Sequence, residues 1–285
     1  MTFFPEMNSV LPNRAGKPLH ITTTLPNEAA PAPLVLILHG FKGFRNYSFL
    51  PWIAQHAAMH GMIAIRFCFS GNGMNGTSWM VQDLDAFAAN TISQEIDDVH
   101  DMIGLIKNDP SFATVREQWN GQIFIVGHSR GGGIAQVVSR ELVEGGTAPF
   151  VKTAVYNSVG TWTRWTNRQR AEWAKAGAFS FTNERTKQIV QMNVSYVEDI
   201  ELNAERLSLD SAAAALGDRL AFFHAENDLT VPLTEIAALR SRTNTAASLH
   251  IIPNTTHTFG MTHPVDRITH GFVAVLKESF SWLLQ

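Results

Sequence analysis

Short runs of consecutive apolar residues alternate along this chain with longer stretches in which apolar positions recur three or four apart. The run Leu34-Val35-Leu36-Ile37-Leu38 has no polar face, so it predicts a strand buried on both sides, as in a parallel sheet between helix layers. Further runs at Met62 to Phe69, Gln122 to Val126, Thr153 to Asn157, Arg219 to His224 and Leu249 to Ile252 predict strands of the same kind. Helical spacing predicts helices over Ser48 to His60, over Ser93 to Lys107 (Ile96, Val99, Ile103 and Ile106 on one face), behind the strand ending at Val126, and over Leu233 to Arg240. Near the N-terminus, Ser9 to Leu11 and His20 to Thr24 flank the turn-like Asn13-Arg14-Ala15-Gly16-Lys17, an antiparallel hairpin at the sheet edge. Pro264 suits the first turn of a closing helix that reaches Leu284. Together these elements predict one α/β domain over residues 1–285, a mostly parallel eight-stranded sheet flanked by helices.

The alternation breaks between Gly160 and Gly217. This stretch is too long for a simple connection, carries Trp162, Trp165 and Trp173, and holds a two-stranded pattern around Phe179 to Val197. It reads as an inserted cap over a functional site; a surface embellishment is the blander alternative.

Composition narrows the partners. The net charge of −3 gives no reason to expect nucleic acid or an anionic membrane. Cys68 is the only cysteine, which excludes an intrachain disulfide and a cysteine-based metal site, and its place in an apolar strand predicts an inert buried thiol. No basic region followed by a long apolar stretch opens the chain, and no segment has the roughly 20 apolar residues that span a bilayer. A cytoplasmic protein acting on a small molecule is expected, with its oligomeric state left open.

The candidate chemistry sits in Gly127-His128-Ser129-Arg130-Gly131. An apolar strand stops at a serine flanked by glycines and a helix starts directly behind it, the pattern of a nucleophile elbow that lifts a hydroxyl clear of the backbone. A serine hydroxyl needs a base at neutral pH, and the base needs an orienting partner. Both should lie in loops after strands, at the carboxyl edge of the sheet. Asp228 follows the strand ending at His224, and His257 follows the strand ending at Ile252. Glu226 competes with Asp228, and His263 with His257, although His263 beside Pro264 reads more easily as a helix cap. Acyl transfer also needs donors for an oxyanion. Arg130 N–H is one candidate; Phe41 N–H is the other, with Gly40 permitting an unusual backbone turn before it.

These motifs, with Val231-Pro232 after Asp228 and Phe259 after His257, resemble the serine α/β-hydrolase family from Val10 to the C-terminal helix. The nearest branch holds cinnamoyl and other carboxylesterases and the prolyl-oligopeptidase-like and dienelactone hydrolases. The resemblance implies the α/β-hydrolase fold with a cap over residues 160–217, and a Ser129–His257–Asp228 triad forming an acyl-serine intermediate. It also implies an oxyanion hole at Phe41 and Arg130, and substrate contacts at Trp162 and Trp165. Esters are the expected substrates, with no cofactor and no metal. A thioesterase or peptidase would use the same triad, and a noncatalytic binding module on the scaffold is the alternative from another class. Arg130 departs from the glutamine or methionine frequent in such esterases, so its cation either pairs with a neighbouring acid or meets a substrate carboxylate.

Two other patterns are weighed and set aside. Gly71-Asn72-Gly73-Met74-Asn75-Gly76 fits a dinucleotide fingerprint, but no helix starts behind it, so it reads as a mobile loop at the cleft rim. His56 and His60 have zinc-ligand spacing without an evident third ligand.

Overall fold

The computed structural model describes residues 4–27, 31–146 and 150–285. Along these the chain runs β1 (Glu6–Pro12), β2 (Pro18–Thr24), β3 (Ala32–Leu38), α1 (Leu50–Met59), β4 (Ile63–Cys68), α2 (Leu84–Ala89), α3 (Ile92–Asn108), α4 (Ala113–Gln118), β5 (Trp119–His128) and α5 (Arg130–Glu144). It continues through β6 (Phe150–Tyr156), α6 (Asn167–Ala176), β7 (Ala178–Thr182), β8 (Ile189–Asn193), α7 (Ser195–Leu202), α8 (Leu209–Leu216), β9 (Leu220–Ala225), α9 (Leu233–Thr243), β10 (Ser248–Ile252) and α10 (His270–Leu283).

Eight strands form one sheet in the order β1-β2-β4-β3-β5-β6-β9-β10. The hairpin β1/β2 and the β2/β4 pair are antiparallel; every other pairing is parallel. Side chains alternate across a strand, so each central strand feeds two cores. Leu34, Leu36 and Leu38 of β3 face one way, with Ile123 and Ile125 of β5 and Phe222 of β9. Ile96, Val99 and Ile103 of α3 and Ile134, Val137 and Val138 of α5 cover that face. Val35 and Ile37 face the other way with Val126 and Phe223, under Leu50, Ile53 and Ala54 of α1 and Phe272, Val275 and Phe280 of α10. Each such leucine, isoleucine or phenylalanine contributes roughly 1.5–3 kcal/mol by leaving water. Both layers therefore clamp the sheet, and its carboxyl edge is left to loops. Burial pushes the Cys68 thiol up to about 11, which keeps it unreactive.

Several expectations are corrected. The closing helix does not start at Pro264 but at His270, where the Thr269 side chain accepts the Phe272 N–H and caps it. The capping role expected of His263 is therefore absent: its Nδ1 accepts the Ser48 N–H at 3.0 Å, and its ring packs on Phe44 and Tyr47. The two-stranded piece ends at Asn193; Val197 lies in α7. The short helices α2 and α4, which the spacing did not predict, bury Phe87 and Val115, and the Asp83 side chain caps α2 by accepting the Ala86 N–H. The glycines from 71 to 76, expected as a mobile loop at the cleft rim, lie in a packed turn. All of that stretch but Asn75 is buried, and a Cβ on Gly71 would lie 2.1 Å from Asn90 Oδ1.

Candidate active site

Ser129 joins β5 to α5 with φ 56° and ψ −120°, a conformation that costs a non-glycine residue roughly 1–3 kcal/mol. Its surroundings hold it there. The Ser129 N–H donates to Tyr156 O at 2.9 Å, and its carbonyl accepts the N–H of Gly132 at 2.9 Å and of Val159 at 3.2 Å. The bend also brings backbones too close for side chains: a Cβ on Gly127 would sit 2.3 Å from Gly131 O, and one on Gly131 2.4 Å from His39 O. A serine ahead of a helix ordinarily caps the first turn. Here its side chain makes no cap bond, and Oγ lies 3.1 Å from His257 Nε2.

Asp228, in the loop after β9, is 4% exposed. Oδ1 accepts the N–H groups of Thr230 and Val231 at 2.8 and 2.9 Å, and Oδ2 faces His257 Nδ1 at 2.7 Å. Burial pushes this carboxyl up, but the hydrogen bond and charge of His257 and the two backbone donors outweigh it and hold it below the usual carboxylate range. The carboxylate thus fixes the imidazole with Nδ1 as donor and Nε2 as acceptor toward the serine. Glu226 takes no part; its Oε2 accepts the Asn254 N–H at 2.9 Å and ties two loops together.

Two residues overlooked in the sequence position His257. Asn157 Nδ2 and His128 Nε2 both donate to the His257 carbonyl, at 2.8 and 2.9 Å. Burial, with the neighbouring His257, pushes His128 down to about 3, so the ring is neutral and its one N–H is on Nε2. Asn157 also accepts the Ala225 N–H at 2.7 Å, linking the ends of β6 and β9 to the His257 loop. Its φ of 46° is a signal the sequence could have offered, since asparagine tolerates the left-handed region at a strand end.

Among the described residues, neither Phe41 N–H nor Arg130 N–H donates to a protein acceptor, and both residues border the same cavity as Ser129. Gly40 is needed for contact rather than for an unusual turn: its φ is not positive, and a Cβ there would meet Ser129 Cβ at 3.0 Å and His128 O at 3.1 Å. The Arg130 guanidinium is buried, ion-paired with Glu95 and set over the Phe41 ring at 4.6 Å, so it meets a neighbouring acid. Burial, against the pull of Arg130 and Asn90, pushes Glu95 up to about 7.

The cavity has a volume of about 340 Å³. Its far wall comes from the segment between β6 and β9: Trp162, Trp165, Trp173, Phe179, Phe181 and Tyr196. Trp162 and Trp173 spend their indole N–H groups on Leu207 O and Met192 O, leaving the ring faces as apolar lining. Trp165 meets Trp173 edge-on at 5.8 Å. By contrast α8, at the end of the segment, packs with α5 and α9 in the main core through Ala213 and Leu216.

No protein-family model matches the chain, and no curated protein does. Solved structures do. Est1E from Butyrivibrio proteoclasticus, solved with ferulic acid bound, is 15% identical with a TM-score of 0.67, over 97% of this chain and 99% of that one. The alpha/beta hydrolase GrgF from a Penicillium species is 14% identical with a TM-score of 0.68, over 98% of each chain. A dienelactone hydrolase from Anabaena variabilis is 13% identical with a TM-score of 0.62, over 99% of this chain and 98% of that one. The fold is the α/β-hydrolase fold. No helix among the described residues is long and apolar enough to cross a membrane.

Proposed function

We propose that the protein is a serine hydrolase that cleaves carboxylic esters of aromatic or short acyl groups through an acyl-enzyme. Ser129 Oγ attacks the ester carbonyl carbon while His257 Nε2 takes its proton. The oxyanion is held by the N–H groups of Phe41 and Arg130, each such donor being worth about 3 kcal/mol in a water-excluded site. Collapse breaks the C–O bond, and the leaving alcohol takes the proton from His257. Water then attacks the acyl-serine, gives a proton to His257, and releases the acid as Ser129 regains its hydrogen. Asp228 keeps Nε2 available and stabilises the imidazolium. Within residues 160–217 the stretch ahead of α8 acts as a cap, with Trp162 and Trp165 against the substrate's apolar part.

The observation that carries this reading is the unbroken relay from Ser129 Oγ to His257 (3.1 Å) and from His257 to Asp228 (2.7 Å) at the edge of an aromatic cavity. Ser129→Ala should lower kcat for an aryl ester on the order of a thousandfold or more while leaving the fold intact. A fluorophosphonate should add to one peptide, that containing Ser129. Undiminished turnover in the variant, or an adduct elsewhere, would overturn the assignment.

A further inference from the structure

The cavity contains three cations and, among the described residues, no carboxylate side chain. Two of the cations already have an acidic partner. Arg130 is paired with Glu95, and Arg164 holds both Glu235 oxygens at 2.9 Å and the Thr230 carbonyl. Lys42 is different. Among the described residues its ammonium has no hydrogen-bond or ion-pair partner; it rests 5.5 Å from the Phe41 ring centre and 5.6 Å from that of Phe181. Glu184 also attracts it, but that carboxylate is exposed and bonded to Lys187 at 2.7 Å.

The placement is built rather than loose. Lys42 has a φ of 56°, and Arg185 Nη2 donates to its carbonyl at 2.7 Å while the Arg185 guanidinium lies over Tyr47. Burial, reinforced by Arg185, pushes the ammonium below its ordinary range, the condition an incoming anion would relieve. Aromatic faces repay a desolvated ammonium only in part, so a cation on apolar rings in the cavity that Ser129 also lines is poised for a charged partner.

We propose that Lys42 is a specificity residue that selects esters carrying a carboxylate on or beside their aromatic group. This rests on the ester-hydrolase reading above. The aromatic lining takes the ring, the hydrolytic groups take the ester, and Lys42 takes the carboxylate in a charge-assisted hydrogen bond. Direction follows from charge alone: with no acid in the lining, an anionic ligand meets no opposing carboxylate and a neutral one leaves Lys42 unpaired.

The test compares matched pairs differing by one carboxylate. One pair is phenyl acetate and 4-acetoxybenzoate, with the charge on the leaving group. The other is the 4-nitrophenyl esters of 3-phenylpropanoic acid and of its ring 4-carboxylate, with the charge on the acyl group. The readout is the ratio of kcat/KM, anionic over neutral, so that general losses cancel. In at least one pair the wild-type ratio should be about tenfold or more. It should fall to near one in Lys42→Met, invert in Lys42→Glu, and stay at the wild-type value in Lys107→Met, which lies outside the cavity. Cleavage of the neutral esters without carboxylate preference in either pair, or a preference that survives Lys42→Met, would overturn the assignment of Lys42. Failure to cleave any of the four would instead count against the hydrolase reading.

Discussion

The elbow and the segment that faces it across the cavity are built in opposite ways. Around Ser129 the protein is backbone against backbone: Gly40, Gly127 and Gly131 sit where an added Cβ would fall within about 3 Å of a neighbour. Across the cavity the wall is side chain against side chain, with Trp165, Trp173 and Tyr196 in ring contact at 5.8–6.1 Å. Backbone contacts have one solution, whereas ring contacts can be re-formed by other large side chains of similar volume. The difference implies that the position of the hydroxyl is fixed by the scaffold, while on the proposed function the choice of substrate would be written in replaceable aromatics.

The largest effect should come from breaking the first kind of contact. A methyl at Gly131 would lie 2.4 Å from His39 O and 2.6 Å from Leu38 O, backbone atoms at and just past the end of β3, where nothing flexible can yield. Gly131→Ala should therefore cost several kcal/mol, about 3 or more, with activity lost along with it. An unfolding free energy from urea titration within about 0.5 kcal/mol of wild type would show that the elbow is less tightly specified than its geometry implies.

Breaking the second kind should act on binding instead. Trp165 is a partly buried ring packed on the core, and its loss opens the aromatic wall without touching Ser129, His257 or Asp228. Trp165→Ala should raise KM for an aryl ester about tenfold, with a smaller fall in kcat and less effect on an acetyl ester. An equal fall in kcat for both esters, with KM unchanged, would mean that this wall positions the hydrolytic groups rather than the substrate.

The same contrast explains what could be read in the sequence. Ser129, Asp228 and His257 each follow an apolar run, and a polar residue at the carboxyl end of a parallel strand is placed by topology alone. Their hydrogen-bond reach follows from strand order. Asn157 follows such a run too, yet its partner is the His257 carbonyl, and which backbone atom an asparagine will meet is not encoded by periodicity. At the start of α10 a proline signal at 264 competes with a threonine cap at 269, and the buried face set by Phe272, Val275 and Phe280 decides for the latter. Lys42 was illegible for a different reason: its character lies in the carboxylate it lacks, and only assembled neighbours reveal that.

The smallest expected effect tests the seam between the two regions. Glu95 of α3 holds Arg130 at the first turn of α5, and Tyr196 of α7 lies close enough to feel both charges. Burial raises the Glu95 carboxyl from an ordinary 4.5 to about 7, opposed by Arg130 and Asn90. The folded protein therefore binds this proton more tightly than the unfolded chain does. Its contribution to stability is complete below about pH 4.5, declines as the pH rises toward 7, and is level above that. Asp98, raised to about 6 chiefly by burial, acts in the same sense at lower pH. Histidines that burial lowers, His39 and His128 to about 3 and His56 to about 4, instead add stability as the pH rises through about 6.5, so only the comparison with Glu95→Gln isolates Glu95 over the interval from pH 6 to 7.5. Across it the wild type should lose about 1 kcal/mol of unfolding free energy that Glu95→Gln does not lose, whatever the offset between the two curves. Urea titrations at pH 5.5, 6.5, 7.5 and 8.5 measure the difference. Parallel profiles would mean that Glu95 stays ionised against Arg130 throughout, and that the ion pair, not a shared proton, joins the scaffold to the aromatic wall.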